Sequence, residues 1–378
     1  MTQRIARTTT SDEGLAVAID GQEKFFSWLW LRDHSQEPED FHPRARQRLL
    51  ETFHLGKVEP AESVEVSEAG DRLVVRWQGN HATRFTADFL AAVTSPDKLY
   101  DVVGSDQVLW DASNAAEICA RVEHDDFVND DAVLAEMLQN LRKVGMIALR
   151  NVPLSIAASR RVMERIAYIR SSIFGDMWEL KADGKLADTG STPIEIKPHT
   201  DGTYNHDAPG LMSLHCLQYE AEGGDNVLVD GFKIARIIRE RHPDVYETLS
   251  TVSVAGQYIG DGAYLVAQRP VFRHDANGRL IQVSFNNHDR APFSLPEPQM
   301  SVLYDALGVF DHLIQDRANQ FAFGQRPGDM VIFDNWRLLH GRLAFKGQRH
   351  MVGSYLNRED FESRMRVLAA RQPLDMVA

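Results

Sequence analysis

Cysteine is scarce. Two in 378 residues, Cys119 and Cys216, are too few for a disulfide scaffold or a Cys-rich zinc module, and they suit a reducing cytoplasm. Basic charge is also short. Lys+Arg total 41 against 54 Asp+Glu, a formal charge of −13, so no general field draws in nucleic acid or an anionic membrane. No run approaches the roughly 18 apolar residues of a membrane span. Residues 1–14 are polar and lack the apolar centre of a signal peptide. Internal repeats and low-complexity tracts are missing. With 43% hydrophobic and 25% charged residues the chain can still bury a substantial core. The 14 histidines are therefore where a metal site should be sought.

Residues 1–100 read as a small β-rich domain. The run 15–19 followed by Asp20-Gly21 predicts a strand and turn. Segments 63–67 and 73–77 alternate on either side of Ala69-Gly70-Asp71, a hairpin signal. Residues 87–93 suit a short helix, and the apolar run 25–31 has the length of a strand. Residues 101–378 form the second domain. Val133, Leu134, Met137, Leu138 and Leu141 fall at helical spacing and stop near Gly145. A strand over 146–149 and a helix over about 157–169 follow. Strands then dominate, at 211–219, 227–229, 282–285, 330–333 and 351–356, with helices near 232–241, 297–313 and 360–369. The pattern is α+β, built on an antiparallel sandwich or jelly roll.

Three His-x-Asp triplets occur: His124-Asp125-Asp126, His199-Thr200-Asp201 and His242-Pro243-Asp244. The first lies in a charged patch and the last follows Arg239-Glu240-Arg241, both in keeping with solvated surface. His199 and Asp201 fall in a strand-like segment, where residues two apart share a face and can reach one ion. A second imidazole from elsewhere would complete two His and one carboxylate on one face of an octahedral Fe(II), leaving positions for a chelating cosubstrate and O₂. An apolar strand runs into Leu338-Leu339-His340-Gly341, which offers that imidazole beside a glycine. Arg349, opening another strand, could hold a carboxylate through two parallel bonds. The plain readings are a hydrogen-bonded core histidine and a surface charge.

Over nearly its whole length the sequence resembles the γ-butyrobetaine and trimethyllysine dioxygenases. The resemblance is carried by Ile173-Phe174-Gly175-Asp176-Met177-Trp178, His199-Thr200-Asp201-Gly202-Thr203-Tyr204, residues 223–232, Phe285-Asn286-Asn287-His288-Asp289-Arg290-Ala291 and residues 334–342. It implies a double-stranded β-helix with flanking helices, preceded by the small N-terminal domain. It implies Fe(II) held by His199, Asp201 and His340, and 2-oxoglutarate anchored by Arg349, with O₂ as cosubstrate and ascorbate in support. A homodimer and a small quaternary-ammonium substrate are implied too. Two positions depart from the pattern. Asn226 stands where relatives carry Thr or Ser near the cosubstrate. The N-terminal zinc cysteines are absent, so that module is expected to fold without zinc; His34, His42 and His81 are the histidines left for any substitute site.

Relatives enclose the trimethylammonium group in aromatic rings, whose faces attract a cation that cannot hydrogen-bond. Phe174, Trp178 and Tyr355 match such positions, whereas a fourth, usually Tyr, is Ser191. Phe174 and Trp178, four apart, equally suit one face of a helix core. Tyr204 joins the same substrate set. Asp188, where γ-butyrobetaine enzymes carry Asn, could meet the cation or an ammonium. Asn286, Asn287 and Arg290 are candidates for the anionic end. Together these lean towards hydroxylation of 2-trimethylaminoethylphosphonate over γ-butyrobetaine or trimethyllysine. A dioxygenase for sulfonates or other small acids, with no cation cage, and a non-catalytic jelly-roll binding protein are the other readings.

Overall fold

The computed structural model describes residues 3–94, 106–181, 192–260 and 262–369, in two compact units that divide after Val102. In the N-terminal unit, strands Ile5–Thr10, Gly14–Ile19 and Gln22–Ser27 form one antiparallel sheet. Strands Ser63–Val66, Arg72–Arg76 and Ala82–Thr86 form another, followed by helix Ala87–Val93. Leu15, Val17, Phe26, Trp28, Leu73 and Phe85 lie in its core. The apolar run 25–31 is not one strand. It breaks at Ser27, whose hydroxyl accepts from the Trp30 backbone N–H and caps helix Trp28–Asp33. Among the described residues His34, His42 and His81 form no metal-binding group. His34 stacks on Trp30 at 4.1 Å between ring centroids, and His42 is exposed. His81 faces Asp40 at 3.1 Å, and Asp40 is itself gripped by both terminal nitrogens of Arg32 at 2.7 and 3.1 Å.

The second unit carries two sheets. The larger takes β1 (Ala120–Glu123), β2 (Met146–Arg150), β3 (Ile169–Arg170), β4 (Trp178–Lys181), β6 (Leu211–Gly223), β11 (Met330–Asp334) and β13 (Phe345–Leu356). Its order is β3-β13-β6-β11-β2-β1, with β4 also paired to β13. The smaller has β5 (Ile196–His199), β7 (Asn226–Asp230), β10 (Gln320–Phe323) and β12 (Leu338–Arg342), in the order β5-β12-β7-β10. A separate hairpin joins β8 (Ser253–Gly260) to β9 (Ala263–Pro270). Only β2 and β1 run parallel among the pairs of these two sheets. This is the two-sheet jelly roll expected from the sequence.

The two faces of β11 show why both sides of the large sheet are apolar. Val331 and Phe333 enter the core with Leu228 and Leu338 of the small sheet. Met330 and Ile332 point the other way, against helices α1 (Asp131–Val144), α2 (Ile156–Ile166) and α5 (Arg358–Ala369). The remaining long helices are α3 (Gly231–Arg241) and α4 (Gln299–Gln315). Helix α1 starts where the Asp130 carboxylate accepts from the Ala132 and Val133 N–H groups. It stops at Gly145, whose φ of +89° suits glycine; a Cβ there would also meet Leu338 at 3.1 Å. Among the described residues no helix is long and apolar enough to cross a membrane.

Candidate metal centre

His199 is the last residue of β5, and Asp201 lies in the bend beyond it, so the triplet is not wholly in a strand as its spacing suggests. The bend is pinned from the turn that follows β11. The Asn335 side chain accepts from the Asp201 N–H at 2.8 Å and donates to the Asp201 carbonyl at 3.1 Å and the Pro209 carbonyl at 2.9 Å. His340 sits in the middle of β12, opposite His199 in the β5–β12 register. Pairing of the two strands therefore brings the imidazoles together, with ring centroids 4.3 Å apart. The Asp201 Oδ1 is 3.4 Å from His199 Nε2 and 3.6 Å from His340 Nε2. Their ligand atoms all lie within 4.8 Å of one another, and this is the one such group of three or more among the described residues.

The electrostatics suit a cation. Burial opposes ionisation of Asp201, but the His340 and His199 imidazoles and the Tyr355 hydroxyl hold its carboxyl well below the ordinary range. Burial holds His340 neutral, down to about 3. His199 is shifted upward despite burial, because its ring faces Asp201. Its Nδ1 lies 2.8 Å from the Lys197 carbonyl, a contact that sets Nδ1 as the protonated nitrogen and leaves Nε2 free to ligate. Tyr355 donates its hydroxyl to Asp201 Oδ2 at 2.7 Å, fixing the carboxylate from behind. Two imidazoles and a carboxylate aimed at one point fit a divalent metal such as Fe(II), to which His199 would give the lone pair of its deprotonated Nε2.

A cavity of about 120 Å³ opens on these three residues. Asn226, Arg342 and Arg349 are among its lining residues. Arg349 is buried, fifth in β13 rather than at its start, and donates from Nη2 to Asn226 Oδ1 at 2.7 Å. Asn226 in turn donates to Gln325 Oε1 at 2.6 Å, a partner the sequence did not single out. Burial lowers the proton affinity of Arg349, and of Arg342 to about 10. Among the described residues no carboxylate comes within ion-pair distance of Arg349, so an anion in the cavity would find a desolvated guanidinium.

Aromatic rings line the cavity as well. Trp178 begins β4 and Phe174 lies in the turn before it, so the pair is not a helix face. The Trp178 ring lies over Gly353, its partner across β4–β13, where a Cβ would approach it to 2.0 Å. Trp178 and Tyr355 pack at 5.3 Å. Tyr204 joins the wall at 5.4 Å from Tyr258, which the sequence did not mark because β8 and β9 went unrecognised. Asn286 and Asp289 also line the cavity, joined by a 2.7 Å bond from Asn286 Nδ2. Asn287 is exposed and borders a different cavity. Arg290 donates from Nε to Asn287 Oδ1 at 3.0 Å, with its guanidinium over Tyr304. Asp188 and Ser191 lie outside the described residues.

Comparison with known proteins agrees with this geometry. Residues 112–355 match the taurine catabolism dioxygenase TauD, TfdA family. The chain is 30% identical to a trimethyllysine dioxygenase of Meyerozyma guilliermondii, covering 99% of this chain and 98% of that one. It is 30% identical to the mitochondrial trimethyllysine dioxygenase of Homo sapiens, covering 91% and 82%. A γ-butyrobetaine dioxygenase of Pongo abelii is 25% identical, with 93% of each covered. In the solved structures, a Burkholderia xenovorans chain ascribed to the α-ketoglutarate-dependent taurine dioxygenases superposes with a TM-score of 0.50 at 13% identity. It covers 66% of this chain and 91% of that one, and bears on the fold alone.

Proposed function

This chain belongs to the taurine catabolism dioxygenase TauD, TfdA family, and from that premise we propose that it hydroxylates an aliphatic C–H of a small trimethylammonium zwitterion, using Fe(II), 2-oxoglutarate and O₂. The observation that carries the reading is one cavity lined by a His-Asp-His group, a desolvated guanidinium and several aromatic rings. His199, Asp201 and His340 would hold Fe(II). The metal supplies the oxidising chemistry, in which 2-oxoglutarate goes to succinate and CO₂ while the substrate gains one oxygen. Arg349 binds the far carboxylate of 2-oxoglutarate, and Asn226 keeps its guanidinium aimed. The rings of Phe174, Trp178 and Tyr355 draw in the quaternary cation and fix which carbon faces the metal; a displacement of about 1 Å would slow or misdirect the reaction.

For the anionic end, 2-trimethylaminoethylphosphonate comes first. Asn286 lines the cavity and its amide can donate to a phosphonate oxygen, whereas Asn287 and Arg290 of the same loop lie outside that lining. Trimethyllysine is the second reading, favoured by Asp289 in the cavity, a carboxylate suited to an α-ammonium. It is also the substrate in the names of the 30%-identical relatives.

Succinate release should be measured with Fe(II), ascorbate and 2-oxoglutarate, offering these two compounds and γ-butyrobetaine in turn. Stimulation by one of them is expected, and its loss on Trp178→Ala. Silence across the panel would favour a binding protein. Turnover that survives Trp178→Ala would favour a small-acid dioxygenase with no cation cage.

A further inference from the structure

Three rings do not surround a cation. The sequence places aromatic residues at 174, 178 and 355, while the fourth position filled by tyrosine in relatives is Ser191, which has no π face. We propose that Tyr258, brought in by the β8–β9 hairpin, is the residue that closes the quaternary-ammonium site in this chain and sets its preference for a cation; the proposal rests on the trimethylammonium reading above.

The ring geometry is that of a corner. Tyr258 meets Phe174 at 5.5 Å between centroids with the planes 85° apart, and meets Tyr204 at 5.4 Å and 42°. Perpendicular rings present two faces at right angles, an arrangement that can contact a methylated ammonium from two directions. The Trp178–Tyr355 pair belongs to the same cavity. Tyr258 is 9% exposed, whereas its neighbour Ile259 is 64% exposed and Tyr264, opposite Ile259, is 69% exposed. The hairpin has one face in solvent, and Tyr258 stands on the other.

The position of that ring is fixed by backbone. The Gln257 N–H donates to the Asp289 carbonyl at 2.7 Å and the Ala291 N–H to the Ala255 carbonyl at 2.9 Å. Strand β8 is thereby tied to the loop that carries Asn286. On its other side Gly256 rests against Thr203, two residues beyond Asp201; a Cβ at 256 would lie 2.9 Å from the Thr203 carbonyl. A bare glycine lets the strand approach the metal-bearing bend closely enough to bring residue 258 into the cavity. The inward face of β8 thus reads as one small residue for approach and one aromatic for contact.

The test is a series at position 258 in the full-length iron-loaded enzyme. Phenylalanine and its progressively fluorinated forms keep the shape of the ring and drain its face of negative potential. The probes are tetramethylammonium, whose dissociation constant is read anaerobically with 2-oxoglutarate bound, and whichever panel zwitterion turns over, paired with its neutral tert-butyl analogue. Tyr258→Phe should bind both cations nearly as the wild type does. Fluorination should weaken both in steps, to about tenfold at the end of the series, and leave the tert-butyl analogue within about twofold. Gly256→Ala should weaken the cations in the same direction. A flat series in an enzyme that still turns over the zwitterion overturns the role of Tyr258 alone. A wild type that binds no tetramethylammonium and turns over no trimethylammonium compound overturns the reading beneath it.

Discussion

Single atoms decide the metal centre. Asp201 has one oxygen directed at two imidazoles and the other held by the Tyr355 hydroxyl. Tyr355→Phe keeps the ring against Trp178 and removes that bond. Fe(II) affinity should fall by about 10–100-fold, because partners that orient a ligand carry that share of metal binding. Titration with Fe(II), or with Co(II) as a spectroscopic stand-in, measures it. Unchanged affinity would mean that the Asn335 clamp on the Asp201 backbone is enough to place the carboxylate. The candidate ligands that the fold brings together were singled out in the sequence through a triplet, a Leu-Leu-His-Gly segment and a family resemblance. Asn335, Gln325 and Tyr258 were not, because a side chain that orients another leaves no spacing to read. Their partners, Asp201, Asn226 and Phe174, lie far from them in sequence, and only strand pairing brings them together.

At the scale of elements, the site depends on where the small sheet is held. Asp230 ends β7 and caps α3, accepting from the Phe232 and Lys233 N–H groups. It also takes a two-point ion pair from Arg337, at 3.0 Å to Nε and 2.7 Å to Nη2, with both side chains fully buried. Arg337 lies one residue before β12, the strand of His340. Arg337→Met leaves a buried carboxylate without its partner and should cost about 3–5 kcal/mol. Urea unfolding measures the loss, and a change below about 1 kcal/mol would show that the pair is not structural. The sequence revealed most long elements of the second unit, since α1 and β11 carry clear periods. It missed β8 and β9, whose outer face is apolar at Ile259, Tyr264 and Val266 and so lacks the usual alternation. It read 25–31 as one strand because hydrophobicity continues through the Ser27 cap.

At the scale of the molecule, acid should unfold the protein through more than its carboxylates. His215 is fully buried on β6 beside Ser159, and burial depresses its pKa to about 4. The unfolded chain binds this proton near pH 6.5 and the folded chain only near 4, so stability is full above 6.5 and is lost as pH falls through that window. Between pH 7 and 5 the loss from this residue should be about 2 kcal/mol. Unfolding of wild type and His215→Asn at the two pH values measures it. An equal pH dependence in both proteins would contradict it. The net charge of −13 is in keeping with a substrate carrying a permanent cation, although the local field at the ring wall, not the total, decides binding.

The central claim is that one cavity couples 2-oxoglutarate oxidation to hydroxylation of a trimethylammonium compound. It is tested most directly by mass spectrometry of the organic product made under isotopically labelled dioxygen, with succinate counted in the same reaction. The account predicts one labelled oxygen in the trimethylammonium product for each succinate released, and neither product from His340→Ala. Succinate formed by the wild type with no labelled oxygen in any trimethylammonium compound of the panel would contradict it.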